Sequence, residues 1–309
     1  MRNFFSQNIL CYLAREKVFA ALRVLVILII LIASGITIKD EIDYRVSSLA
    51  PWEEETDGAS DDDAAACTVA HLHLQGPLYP SDNGDTFSGI ASSEKLAQKI
   101  ADAEEDNRID AIVIDIDSPG GSAAAGEEVA AALRRAEKPT VALIRDQGTS
   151  AAYYAASGAD MIIASQYSDI GSIGITGSYV DYAQQNEQEG IRYHELTSGK
   201  FKDAGSPDKS LTPEERDLFL RDITIMHEQF VEAIATNRSI PRDAVYALAD
   251  GSSILGKMAM EKGLIDRIGT LQDAIDYLKE ILGADDIALC EEEEEEDETE
   301  DDSAAGIDN

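Results

Sequence analysis

A serine, a pair of glycines and a lysine stand in an order that acyl transfer could use. Ser150 lies in Gly148-Thr149-Ser150-Ala151-Ala152-Tyr153-Tyr154, which reads as a strand turning into a helix with the serine on its first turn. A hydroxyl there meets unsatisfied N–H groups and the positive end of the helix dipole, both of which favour a developing negative charge. The same position also suits a serine that only caps the helix. Upstream, the apolar run 111–116 breaks at Asp117-Ser118-Pro119-Gly120-Gly121, where glycines let backbone N–H groups approach a ligand closely. Downstream, Ser198-Gly199-Lys200-Phe201-Lys202-Asp203 offers two amines. A serine hydroxyl attacks only once a base takes its proton, and a neutral lysine can do this without histidine. Lysine, with an unperturbed pKa of about 10.4, becomes neutral only by desolvation or beside other cations.

Three decoys can be set aside. Ser157 lies two turns into the helix and reads as packed. Ser92-Ser93-Glu94-Lys95 fits a Ser-x-x-Lys pattern but lacks the Ser-Asp-Asn and Lys-Thr-Gly partners of that site, so a helix-start cap explains it better. No Walker lysine followed by serine or threonine comes after the glycine pair, which argues against a phosphate cradle.

The elements that must position these residues alternate. Strands are expected over 68–74, 111–116, 140–144, 161–164, 172–175 and 192–196. Helices are expected over 92–105 and 123–136, from 151 onward, over 182–189, and from Pro213 past Phe230. Strands separated by helices imply parallel βαβ units and an α/β class.

The ends of the chain differ from this middle. Residues 18–38, 21 in all, carry one charge, Arg23; as a helix they would span about 31 Å, enough to cross a bilayer. Arg2, Arg15, Lys17 and Arg23 precede or enter the run against Glu16, and Asp40, Glu41 and Asp43 follow it, which places the N-terminus in the cytoplasm. A cleaved signal ending near Ala33-Ser34-Gly35 is the rival reading. The expected organisation is a cytoplasmic stub (1–17), a transmembrane signal anchor (18–38), an acidic linker (39–66), a catalytic domain (67–282) and an acidic, disordered tail (283–309). The net charge is −35; eleven acids fall in 291–302 and seven in 53–63, which leaves the remainder acidic too. Nucleic acid and anionic lipid surfaces are therefore poor partners for the catalytic domain. Of the cysteines, Cys67 and Cys290 could pair only if the ends of the domain meet, and Cys11 lies before the anchor. His71 and His73 share one strand face, but no third ligand lies near them in sequence, and neither a metal nor a cofactor is implied.

Five ordered motifs resemble the signal peptide peptidase A family of membrane serine peptidases in its short, single-domain form. They are the strand ending in Ser118-Pro119-Gly120-Gly121, the Ser150 turn through Ser157, Gly171-Ser172-Ile173-Gly174-Ile175, the Lys200/Lys202 loop, and Gly263-Leu264-Ile265-Asp266. The resemblance spans 67–282. It implies a crotonase/Clp-protease-like superhelix of ββα units, with Ser150 as nucleophile. It makes Lys202, 52 residues on, the general base and leaves Lys200 as surface charge. Ser172 would orient the lysine, and the N–H groups of Gly121 and Ala151 would form the oxyanion hole. It further implies a homo-oligomeric ring at the cell membrane, with an extracytoplasmic catalytic domain acting on spent signal peptides or other short apolar peptides. Asp117 stands where the family carries asparagine, which alters the charge of that loop. The rival readings are a Clp-class membrane protease working with a stomatin-like partner, a crotonase-like acyl-CoA enzyme, and an inactive scaffold.

Overall fold

The computed structural model describes residues 67–81 and 89–291. The stub, the anchor and the linker assigned to 1–66, and most of the acidic tail, lie outside the described residues. In chain order the elements are β1 (Val69–Gln75), β2 (Leu78–Tyr79), β3 (Ala91–Ser92), α1 (Ser93–Glu105), β4 (Ala111–Ser118), α2 (Ala123–Arg135), β5 (Thr140–Thr149), α3 (Ala151–Ala156), β6 (Met161–Ala164), β7 (Asp169–Gly171), α4 (Ala183–Gln188), α5 (Pro213–Arg238), α6 (Arg242–Tyr246), β8 (Ser253–Leu255), α7 (Gly256–Glu261), β9 (Arg267–Ile268), α8 (Leu271–Leu282) and β10 (Leu289–Glu291). The fold is mixed α/β. Among the described residues no helix is long and apolar enough to cross a membrane.

The main sheet runs β10-β1-β4-β5-β6-β9, with β7 beside β5 and β8 beside β7. Every pair in it is parallel except β7 with β8. β4 is buried on both faces, which its continuous apolar run requires. Ile112, Ile114 and Ile116 join Leu72 and Leu74 of β1 against α1, α2, α3 and α5, while Ala111 and Val113 join Val69, Val141 and Leu143 against Ala274 and Leu278 of α8. Each such branched side chain, fully buried, stabilises by about 1.5–3 kcal/mol.

Ser92 caps α1 and accepts from the Lys95 N–H at 3.3 Å, so the Ser-x-x-Lys decoy is a helix start. At the start of α5, Thr212 and Glu215 form a reciprocal capping box with Pro213 on the first turn. The strand expected at 172–175 is displaced: β7 ends at Gly171 (φ 94°), and Ser172 follows at φ 50°, a left-handed pair that no strand continues through. No strand forms at 192–196, a stretch that is exposed and lacks a neighbouring edge to pair with.

The ends of the domain do meet. β10 lies parallel to β1 with Ala70 opposite Cys290, and Cys67 and Cys290 form a disulfide. The ordered domain therefore extends past the composition-based boundary at Leu282, because Leu289–Glu291 adds the last strand to the sheet.

Candidate active site

β5 is the element that places Ser150. Its first half, Val141–Ile144, pairs with β6, and its second, Gln147–Thr149, pairs with β7. The register against β4 slips between Ile116 and Ser118, so the strand end diverges from its earlier neighbour. The chain then turns at Ser150 with φ 54° and ψ −124°, a conformation that costs a non-glycine residue about 1–3 kcal/mol. Its N–H donates to the Gly171 carbonyl at 2.7 Å, and its carbonyl accepts from the Tyr154 N–H at 3.0 Å. Its side chain makes no capping hydrogen bond. The capping alternative therefore loses its main support: the strain is held by the backbone, and the hydroxyl is left to the cavities it lines. α3 is only six residues long, so the first N–H groups, rather than a long helix dipole, supply the local field.

The glycine pair is fixed beside this turn. Gly120 (φ 90°) lies so close that a Cβ there would stand 2.8 Å from both the Ala151 nitrogen and the Ser150 Cβ. The Ser118 hydroxyl accepts from the Gly120 N–H at 3.1 Å and holds the turn. Leu78 receives the Ser122 N–H at its carbonyl and gives its own N–H to the Gly120 carbonyl. That parallel bridge leaves the Gly121 N–H facing away from Leu78. A Cβ on Gly121 would collide with the Leu78 carbonyl at 2.0 Å, so only glycine fits. Gly121, Ser150 and Ala151 line one cavity of about 200 Å³ whose other walls include Tyr154, Ile175, Met226 and Phe230. Tyr154 stacks on Phe230 with ring centroids 5.2 Å apart, which makes this wall apolar.

The helices behind the two backbone pieces fix their spacing. α2, which follows the glycine pair, crosses α3 at small residues: a Cβ on Gly126 would lie 2.5 Å from the Ala151 carbonyl oxygen. Just past α3, a Cβ on Gly158 would lie 2.4 Å from the Ala130 carbonyl oxygen. Tyr153, buried, donates to the Leu264 carbonyl at 2.8 Å, and burial pushes its phenol pKa up. The Gly263-Leu264-Ile265-Asp266 motif thus anchors the far side of α3; Asp266 also accepts from the Ile162 N–H at 2.8 Å. Ser157, buried, donates to the Tyr154 carbonyl and accepts from Asn237, a packing role.

Ser150 also lines a second cavity of about 610 Å³, together with Ser172, Gly174, Thr176, His227 and Asp250. Ser172 donates its hydroxyl to the Gly251 carbonyl at 2.9 Å, which leaves its oxygen able to accept from an amine. Ser150 and Ser172, with the helix-ending Ser239, are the non-glycine residues at positive φ among those described. His227 and Asp250 escaped the sequence reading because each sits among ordinary helix and loop residues. The His227 Nε2 lies 2.9 Å from the Ala249 carbonyl, which only accepts, so Nε2 is the donor there. The Ser252 hydroxyl and N–H hold the Asp250 carboxyl below its usual range, so the cavity carries a fixed negative charge.

Lys202 lines neither of the two cavities at Ser150. It is exposed, on a segment that is exposed almost throughout 176–202. Its neighbours are committed elsewhere. Lys200 lies 3.6 Å from Glu214 and over the Phe201 ring. Lys209 touches Glu195 at 2.6 Å, Glu215 at 3.1 Å and Asp203 at 3.3 Å, and these carboxylates, Glu195 first, hold it charged. Among the described residues Lys202 has no carboxylate within ion-pair distance.

Residues 132–285 match the family model described as peptidase family S49. The chain is 27% identical over 231 residues to a putative signal peptide peptidase SppA of Enterococcus faecium, covering 74% of this chain and 67% of that protein. It is 30% identical over 204 residues to the putative protease slr0021 of Synechocystis sp., covering 65% of this chain and 74% of that one. A solved structure of the membrane-bound stomatin-specific protease 1510-N, as a serine-to-alanine mutant, aligns at a TM-score of 0.47 and 14% identity over 74% of this chain and 99% of its own.

Proposed function

The chain belongs to peptidase family S49 and is a serine peptidase, and from that premise we propose that Ser150 is its nucleophile and Lys202 its general base. The observation that carries this reading is the strained Ser150 turn, with its hydroxyl free of capping and with Gly121 and Ala151 lining the same cavity. In the proposed reaction the Lys202 amine takes the Ser150 proton as Oγ attacks a peptide carbonyl. The oxyanion is held by the N–H groups of Gly121 and Ala151. Lys202 then protonates the leaving amine, and water releases the acyl group by the same route in reverse. Ser172 orients the lysine by accepting one of its N–H bonds, as the third member of a triad does.

The apolar cavity suits an apolar side chain next to the scissile bond, which supports spent signal peptides and other short apolar peptides as substrates. We place the enzyme at the cell membrane, anchored through 18–38, with its catalytic domain extracytoplasmic and built as a crotonase/Clp-like superhelix. The same reading makes it a homo-oligomeric ring, because the segment bearing Lys202 leaves Leu196 94% exposed, Val180 65% and Ile191 53%, a surface that a neighbouring copy would cover. Assembly would also complete the site by bringing an amine to Ser150.

The test is cleavage of a fluorogenic apolar peptide by the wild type and by Ser150→Ala, Lys202→Ala and Lys200→Ala. The expected result is loss in the first two and activity in the third. Activity recovered on mixing the two dead variants would show that serine and lysine come from different copies. A Lys202→Ala enzyme that still cleaves would refute the base assignment.

A further inference from the structure

On the face of the sheet opposite α1, α2 and α3, β1 and β4 carry three groups that have no part in peptide hydrolysis. His73 of β1 stands directly opposite Asp115 of β4, and His71 lies two residues earlier on the same face. His71 and Asp115 are 3% and 4% exposed, and His73 is half-buried. The third group, Asp115, is 42 positions away from His73 in sequence, and only the parallel register brings it to the histidines.

We propose that His71, His73 and Asp115 hold a divalent transition-metal ion, zinc by its preference for imidazole and carboxylate donors. One donor atom from each residue falls within 4.8 Å of the others, and the His71 Nε2 lies 3.5 Å from the Asp115 Oδ2. Tetrahedral zinc, with ligand bonds of about 2.0–2.2 Å, sets its donors about 3.4 Å apart, so the widest pair needs to close by about 1.4 Å at most. All three side chains stand on paired strands, which fixes their backbones before an ion arrives. None of the three lines a cavity at Ser150, so the ion is structural. It would tie β1 to β4, whose far end carries Gly120 and Gly121.

Arg145 is the competitor. Its Nε lies 3.0 and 2.8 Å from the two Asp115 oxygens and its Nη2 2.6 Å from Oδ2, so it neutralises the buried carboxylate when no ion is present. Its side chain is 54% exposed and can retreat to water as an ion enters. The competition gives the site a signature that a plain hydrogen-bonded cluster lacks: removing the guanidinium strengthens metal binding.

The experiment uses the full-length protein, stripped with a chelator and titrated with Co²⁺, whose visible absorption reports tetrahedral ligation. The expected result is one ion per chain, displaced by Zn²⁺. Affinity should weaken about tenfold or more in His73→Asn and tighten in Arg145→Gln, with circular dichroism confirming that both variants are folded. The proposal is overturned by any of three outcomes: no saturable binding of a single ion, equal binding by a folded His71→Gln/His73→Gln variant (which would assign the ion to the acidic runs), or no tightening in Arg145→Gln.

Discussion

Replacing Gly126 with alanine tests whether the contact between α2 and α3 sets the oxyanion geometry. The added Cβ would lie 2.5 Å from the Ala151 carbonyl oxygen and 3.1 Å from its Cα, where ordinary contact begins at 3.4 Å. The helices must therefore part by about 0.9 Å, and Ala151, whose N–H is half of the proposed oxyanion hole, moves with α3. Two effects on stability oppose each other. Alanine in a helix interior is favoured over glycine by about 1 kcal/mol, while overpacking costs about 1–3 kcal/mol. The net loss is about 0–2 kcal/mol, a fall in melting temperature of a few degrees at about 2–4 °C per kcal/mol. Catalysis has no such compensation: a displacement near 1 Å costs up to about 100-fold in rate. Peptidase kinetics and thermal unfolding on the same preparation should show kcat reduced about 10- to 100-fold with the fold nearly intact. Unchanged kcat would refute the claim that this crossing positions the oxyanion hole.

Three further outcomes follow from the packing. The Cys67–Cys290 disulfide joins residues 223 apart; in the chain-entropy model its removal costs on the order of 5 kcal/mol, so Cys67→Ser or a reductant should lower the melting temperature markedly. Tyr153→Phe leaves the buried Leu264 carbonyl without its donor and should cost about 1–3 kcal/mol, read from denaturant midpoints. The Thr212 N–H, with Lys209 and the Thr212 hydroxyl, holds the Glu215 carboxyl below its ordinary value of 4.5. The stability this gives is present above that value and lost as pH falls through the lowered one, so the urea midpoint should drop on the acid side and Glu215→Gln should flatten that limb.

The parts of the fold that sequence made legible are those governed by local pattern. The runs that became β1, β4 and β6, the capped start of α1 and the Pro213 start of α5 follow from periodicity and capping chemistry, and the structure departs from them by a residue or two at the ends. The misses depend on tertiary facts. The strand expected at 172–175 gives way at the positive-φ pair Gly171 and Ser172, and the exposed 192–196 pairs with no strand among the described residues. The pairing of Cys67 with Cys290 waited on β10, which composition had assigned to the tail. At the site, the motifs marked Ser150, Ser172 and the glycine pair, and the structure sets Ser150 with Gly121 around one cavity and with Ser172 around another. His227 and Asp250 carried no local signal, because only the approach of α5 and the 249–252 loop puts them near Ser150. Lys202 shows the reverse: its motif is plain, yet its exposed side chain lines neither cavity at Ser150.

The most direct test of the central claim is to treat the protein with a serine-directed phosphonate and map the adduct by mass spectrometry, in the wild type and in Lys202→Ala. A single adduct on Ser150, formed in the wild type and suppressed in the lysine variant, is the predicted result. An adduct on Ser172 or Ser157 instead, or equal labelling of Ser150 without Lys202, would contradict it.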